Sequence, residues 1–253
     1  MIRLIDVHKR FGDNVVLDGV NFEVQQGETV ALLGPSGTGK SVLLKHINGL
    51  IYPDRGEVYV DGLSVPHLRR KALSSLRARV GYVFQFGALF DSMSVAENIR
   101  LGITDEECQR DALYCRNRVG ECLALVNLAP EVLGKFPADL SGGMKKRVGI
   151  ARAIAGSPTY LLYDEPTSGL DPVNADVIDT LIAKLQVELG VTSVMVTHDV
   201  RGAFAVADRI ALLKEGRIRA MGPPQELIAS QDEAVREFIE RDFDSVQLKE
   251  LER

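Results

Sequence analysis

The stretch Gly34-Pro35-Ser36-Gly37-Thr38-Gly39-Lys40-Ser41 constrains this chain more than any other, because it fits G-x-x-x-x-G-K-[ST] without a mismatch. The apolar run from Thr29 to Leu33 before it reads as a buried strand. Ser41 to Asn48 after it reads as a helix, with Gly49 placed to end it. Strand, glycine loop and helix form the setting in which such a loop binds phosphate. Glycines let consecutive N–H groups turn inward into an anion nest, and the helix start adds partial positive charge. Lys40 brings a point charge to the β- and γ-phosphates, and the Ser41 hydroxyl is a ligand for Mg2+.

Two further stretches carry chemistry. Tyr160 to Glu165 is an apolar strand ending in two carboxylates. Beside a phosphate loop, the first, Asp164, belongs near Mg2+. The second, Glu165, is a general base for water attacking the γ-phosphate. Leu140-Ser141-Gly142-Gly143-Met144 opens a helix. Its N–H groups and the Ser141 hydroxyl either hold phosphate oxygens or simply cap the helix. A second phosphate site so far from the first makes sense if it faces the nucleotide of another copy. Phe11 either stacks on adenine or is a core or hairpin residue.

The chain has 30 basic and 35 acidic residues and net charge −5, so electrostatics gives no case for a nucleic-acid partner. The N-terminus from Met1 to Val7 has no long apolar signal region, and no apolar run reaches the length of a membrane span. The expectation is a cytosolic protein that serves a membrane, if at all, through another chain. Cys108, Cys115 and Cys122 are spaced seven apart. On one helix they share a face at steps of roughly 10 Å, too far for a disulfide or a shared metal.

In order, residues 2–8 alternate as a strand, and Val15 to Val24 is a second strand with a turn in it, so a small antiparallel sheet precedes the phosphate loop. Glu57 to Asp61 and Val80 to Phe84 are further strands, and Arg69 to Arg79 is a basic helix. From about 86 to 140 strand patterns vanish. Ser94 caps a helix, and Asp105 to Val126 is one long amphipathic stretch interrupted only by Gly120. From Ser141 the α/β rhythm returns: helix to Ala155, strand 160–163, helix 174–189, strand 191–197 ending at His198, then a hairpin over 210–220. Two short helices follow, at 225–230 and 233–241, and then a charged tail over 242–253.

Taken together these residues resemble the ATPase subunit of ABC transporters along essentially the whole chain. Gly34 to Ser41 is similar to the Walker A loop and Gln85 to the Q-loop glutamine. Leu140 to Met144 resembles the signature Leu-Ser-Gly-Gly-Gln with methionine last, and Tyr160 to Glu165 the Walker B strand. Ser168 to Asp171 resembles the D-loop, with glycine where alanine is commoner, and His198 the switch histidine. The resemblance implies an α/β P-loop NTPase core with an antiparallel β subdomain and a helical subdomain. That is one ABC ATPase domain over 1–241, with the helical part about 86–140 inserted. It implies a head-to-tail homodimer enclosing two ATP molecules with Mg2+. The nucleotide is held by Phe11, by Gly34, Pro35, Ser36, Gly37, Thr38, Gly39, Lys40 and Ser41, and by Asp171. Ser141, Gly142 and Gly143 of the other copy complete its site. Ser41, Gln85 and Asp164 serve the metal; Glu165, His198, Gln85 and Lys40 serve hydrolysis. The helical part grips an integral membrane permease, which places the chain on the cytoplasmic face of the inner membrane. His8, His46 and His67 match no motif and read as structural or surface residues.

A finer resemblance rests on Phe84 to Val95, on Met144 and on Asp232 to Phe238. These look like the Mla/Mce-type lipid-transport ATPases. That implies phospholipid-like cargo and an Mce-domain lipid-binding protein in the same complex. An ABC ATPase for amino acids, metals or drugs is the main alternative, and a soluble ABC-type ATPase in DNA repair or translation a remoter one.

Overall fold

The computed structural model describes residues 1–240. The tail expected over 242–253 lies outside them, as does Arg241. In chain order the elements are β1 Ile2–Phe11, β2 Asn14–Val24, β3 Thr29–Leu33, α1 Lys40–Ile47, β4 Arg55–Val60 and β5 Leu63–Ser64. Then come α2 Arg70–Ala78, β6 Val80–Val83, α3 Val95–Arg100, α4 Asp105–Arg110, α5 Ala112–Leu125 and α6 Gly142–Ala155. The chain continues with β7 Tyr160–Asp164, α7 Pro172–Leu189, β8 Thr192–Val196, α8 Val200–Val206, β9 Arg209–Lys214, β10 Arg217–Gly222, α9 Pro224–Ile228 and α10 Glu233–Glu240. They form two compact units, Met1–Leu73 with the described residues from Thr192 onward, and Ser74–Val191.

The first unit holds an antiparallel sheet in the order β2-β1-β4-β5. In β1, Ile2 and Leu4 face the core, then Asp6 takes φ 49 and the pairing with β2 shifts register before Val7. This β-bulge interrupts the alternation expected over residues 2–8 and moves the buried set from even to odd positions. Strand β4, from beyond the phosphate loop, pairs with β1, so the sheet is not made only of residues before the loop. Beside it, β3 is paired in parallel with both β8 and β9. All five β3 residues are buried, as a central parallel strand requires. The predicted closing hairpin is β9 and β10.

In the second unit β6 and β7 pair in parallel, with every residue of both buried. Helix α6 lies against β6 so closely that a Cβ on Gly81 would stand 2.4 Å from the Ala153 carbonyl oxygen. Helices α3, α5 and α6 pack together. Arg118 of α5 donates to the Ile154 carbonyl at 2.9 Å and the Ala155 carbonyl at 3.1 Å, satisfying the last carbonyls of α6. Ser94 caps α3 in a full capping box with Glu97, as expected of that serine.

The cysteine reading is overturned. Residues 105–126 are two helices, broken at Asp111 and not at Gly120. Asp111 is extended (φ −147, ψ 95), and its carboxylate accepts from the Tyr114 N–H as the N-cap of α5. With the helix broken, the two-turn spacing no longer holds, and the Cα atoms of Cys108 and Cys115 come within 5.2 Å, joined by a disulfide. Cys122 remains a buried free thiol, its pKa pushed up to about 11 by burial. Closing a loop this short stabilises by about 2 kcal/mol. Cys115→Ser is therefore expected to lower the melting temperature in the absence of reductant and to remove its response to reductant, whereas Cys122→Ser leaves that response intact. A wild-type melting curve indifferent to dithiothreitol speaks against the bond.

Candidate active site

In the first unit the phosphate loop leaves the carboxyl end of β3, the edge at which parallel sheets place ligands. Gly34 has φ 155, and a Cβ there would lie 2.3 Å from the Leu213 carbonyl oxygen. Gly39 caps α1 in the left-handed region (φ 98), where a Cβ would meet a Val16 methyl at 2.7 Å. Neither position admits a side chain, so at these two points the main chain packs directly against its neighbours. Thr38 braces it by donating its hydroxyl to the Pro35 carbonyl at 2.8 Å. Lys40 is 4% exposed. Its ammonium donates to the carbonyls of Gly34 at 2.7 Å and Pro35 at 3.0 Å, so the charge is held within the loop by neutral oxygens. Ser41 follows as the second residue of α1, half-buried.

His198 belongs to the same edge. The Thr197 N–H donates to the Leu32 carbonyl at 3.2 Å, which continues the β3–β8 pairing to the strand ends. His198 comes next and is exposed. Asp199 after it caps α8 by accepting from the Gly202 N–H. Phe11 is the last residue of β1, half its surface exposed, with the Lys9 ammonium 5.5 Å from its ring centre. It is therefore not a core residue.

In the second unit the ends of the parallel β6 and β7 bring three more predicted groups to one edge. Asp164 closes β7, 9% exposed, and accepts from the Tyr82 hydroxyl at 2.9 Å. Burial and the adjacent carboxylate hold the Tyr82 phenol far above its ordinary pKa, so it acts only as a donor to that oxygen. Glu165 sits at φ 52, a left-handed conformation that few residues other than glycine adopt. Gln85, two residues beyond β6, donates its amide to the Ser168 hydroxyl at 3.2 Å. The turn that opens α6 leaves Ser141 and Gly142 exposed, with the Ser141 hydroxyl accepting from the Met144 N–H. Gly143 is buried beneath the Asn174 side chain. Asp171 caps α7, and both of its oxygens accept from Asn174, which holds its carboxyl below the usual range.

Sequence reasoning missed Tyr82 and Lys146. The Lys146 ammonium, on α6, donates to the main-chain carbonyls of Gln85 and Glu165. A lysine among the buried residues of α6, with Gly143 three before it and Gly149 three after, was the available signal. Tyr82 left none, since an aromatic in an apolar strand reads as core.

The chemistry of these groups fits a nucleoside triphosphate with a hard divalent cation. A glycine-rich main-chain loop with a buried lysine suits phosphate oxygens. The Ser41 hydroxyl in the first unit and the Asp164 carboxylate in the second are each an oxygen donor of the kind Mg2+ takes. The family model for ABC transporter matches residues 17–168. The chain belongs to that family. The methionine import ATP-binding protein MetN of Mesorhizobium japonicum is 40% identical over 223 residues, 88% of this chain and 60% of that protein. The probable ribonucleotide transport ATP-binding protein mkl of Mycobacterium tuberculosis is 38% identical over 231 residues, 91% and 64% respectively. This chain thus spans less than two thirds of either relative.

Among solved structures, the dimeric ATP-binding cassette MJ0796 in a post-hydrolysis state with ADP and Pi superposes with TM-score 0.77 at 35% identity, covering 88% of this chain and 98% of that one. The cbiO1 subunit of the cbiONQ transporter of Clostridium perfringens gives TM-score 0.80 at 30% identity over 100% and 98%. The ABC chain described here has the ABC ATPase fold, a P-loop NTPase core with its antiparallel sheet and helical segment. Cassettes of this family are ATPases.

Proposed function

We propose that this ABC chain hydrolyses ATP with Mg2+ as one half of a homodimer and drives a separate membrane permease. The observation that carries it is the pair of carboxylates at the end of β7: buried Asp164 with its Tyr82 donor, then Glu165 in a conformation few side chains adopt. ATP with Mg2+ supplies the transferable phosphoryl group and the cation that offsets its charge. The loop N–H groups, Lys40 and Ser41 hold the phosphates and the metal, with Asp164 and Gln85 as further metal-side oxygens. Glu165 takes the proton from water, His198 contacts the γ-phosphate, and Phe11 stacks on adenine. Ser141, Gly142 and Gly143 act on the nucleotide of the other copy, and Asp171 borders that interface.

The permease side rests on exposed aromatics. Phe84 and Phe86 flank Gln85 in sequence and Phe90 follows, all three exposed, Phe86 at 80%. Such a cluster suits a docking helix, and the ATPase senses transport only through that helix. No helix among the described residues is long and apolar enough to cross a membrane. We place the chain at the cytoplasmic face of the inner membrane on the permease alone.

For the cargo, the Phe84–Val95 segment and Met144 favour phospholipid-like molecules and an Mce-domain partner. The names of the relatives favour a second reading, import of small solutes such as methionine. Affinity purification from detergent-solubilised membranes is expected to return a permease with an Mce-domain protein. Recovery of a permease with a solute-binding protein for amino acids sinks the lipid reading and leaves the ATPase reading standing.

A further inference from the structure

We propose that Lys146 is a positioning residue that fixes Gln85 and Glu165 to the signature helix. The proposal rests on the ATPase reading above. Lys146 is 6% exposed, and its ammonium donates to the Gln85 carbonyl and, at 3.2 Å, to the Glu165 carbonyl. These oxygens belong to residues at or just beyond the ends of the two paired strands β6 and β7. One side chain of α6 thus ties both loops to one point, 61 and 19 residues away in sequence.

The cost of this arrangement indicates its use. Taking an ammonium out of water is unfavourable unless its protons are accepted. A methionine would fill the same space without that penalty. Burial indeed pushes the Lys146 pKa down, while the Glu165 carboxylate pushes it up. The Glu165 main chain is where a restraint matters, because its left-handed φ of 52 persists only if the surroundings hold it. The rest of α6 extends the clamp. Arg152 donates to the carbonyls of Gly87 and Ala88 at 2.7 Å each, and Gly149 lets Gly87 lie directly against the helix. A shift of α6 at its exposed Ser141–Gly142 end is passed through Lys146 to the main chain of the general base.

The test compares full-length Lys146→Met, Lys146→Arg and the neighbouring Lys145→Met as purified chains assayed with ATP and Mg2+. Lys146→Met is expected to lower kcat about 100-fold, the scale of a misplaced catalytic group, with KM for ATP within about twofold. Lys146→Arg, which keeps the donors, recovers most of the loss, and Lys145→Met behaves as wild type. Hydrogen exchange gives a readout independent of turnover. Amides of 84–88 and 164–168 exchange several-fold faster in Lys146→Met and not in Lys145→Met. Wild-type kcat and wild-type exchange in Lys146→Met overturn the proposal. A raised exchange in chains that show no hydrolysis even as wild type leaves the clamp in place and refutes the ATPase reading instead. If Lys146→Met does not fold, the same readouts on Lys146→Gln decide, since its shorter amide cannot span both carbonyls. A wild-type kcat there overturns the proposal.

Discussion

Lys40→Ala is expected to abolish the proposed ATP hydrolysis and to weaken nucleotide binding by at least tenfold. The ammonium is the one side-chain charge of a glycine-rich loop in which Gly34 and Gly39 admit no Cβ. A hydrogen bond to a charged group contributes about 1.5–3 kcal/mol, which is one to two powers of ten in affinity. The larger loss falls on the chemical step, where negative charge on the γ-phosphoryl oxygens must be offset as the bond breaks. The fold is expected to survive, and the hydrogen bonds to Gly34 and Pro35 that are lost lie within the loop itself. Titration with a fluorescent nucleotide and a phosphate-release assay measure the two effects separately. Wild-type turnover in this variant would show that phosphate is handled elsewhere.

What the sequence revealed was local chemistry. Eight consecutive residues suffice for the phosphate loop, because the glycines and the lysine act within a few ångströms of one another. Caps were legible for the same reason: Ser94 and Ser141 each satisfy an N–H three residues on. The strand ends at Asp164 and His198 followed from apolar runs giving way to charge. What remained hidden depends on contacts distant in sequence. Lys146 reaches Gln85, and Tyr82 reaches Asp164 82 residues away, and no window of sequence contains both partners. The sheet that pairs β1 with β4 across the phosphate loop is likewise a tertiary fact. The break at Asp111 is a different case. Thr104 with Glu107 forms a capping box and Asp111 caps the next helix, so two helix starts stood seven residues apart. The heptad spacing of the cysteines drew the reading toward one helix, and the disulfide was lost with it.

Glu165→Gln is expected to keep nucleotide affinity near wild type while cutting hydrolysis by two to four powers of ten, the range for removing a general base. The amide has the same shape and volume as the carboxylate but takes no proton from water. Because Lys146 holds Glu165 by its main-chain oxygen, the substitution leaves that contact in place, and the left-handed turn is retained. The defect is then confined to chemistry and not to geometry, which separates it from Lys146→Met. With hydrolysis stopped, nothing opens the proposed interface in which the exposed Ser141 and Gly142 of one copy would act on the nucleotide of the other. ATP with Mg2+ therefore accumulates the closed homodimer, read as a shift to twice the mass in size-exclusion chromatography with light scattering. ADP gives no such shift. A variant that turns over ATP at the wild-type rate removes Glu165 from the role of base. One that is slow yet stays monomeric with bound ATP keeps Glu165 as the base and contradicts the composite site.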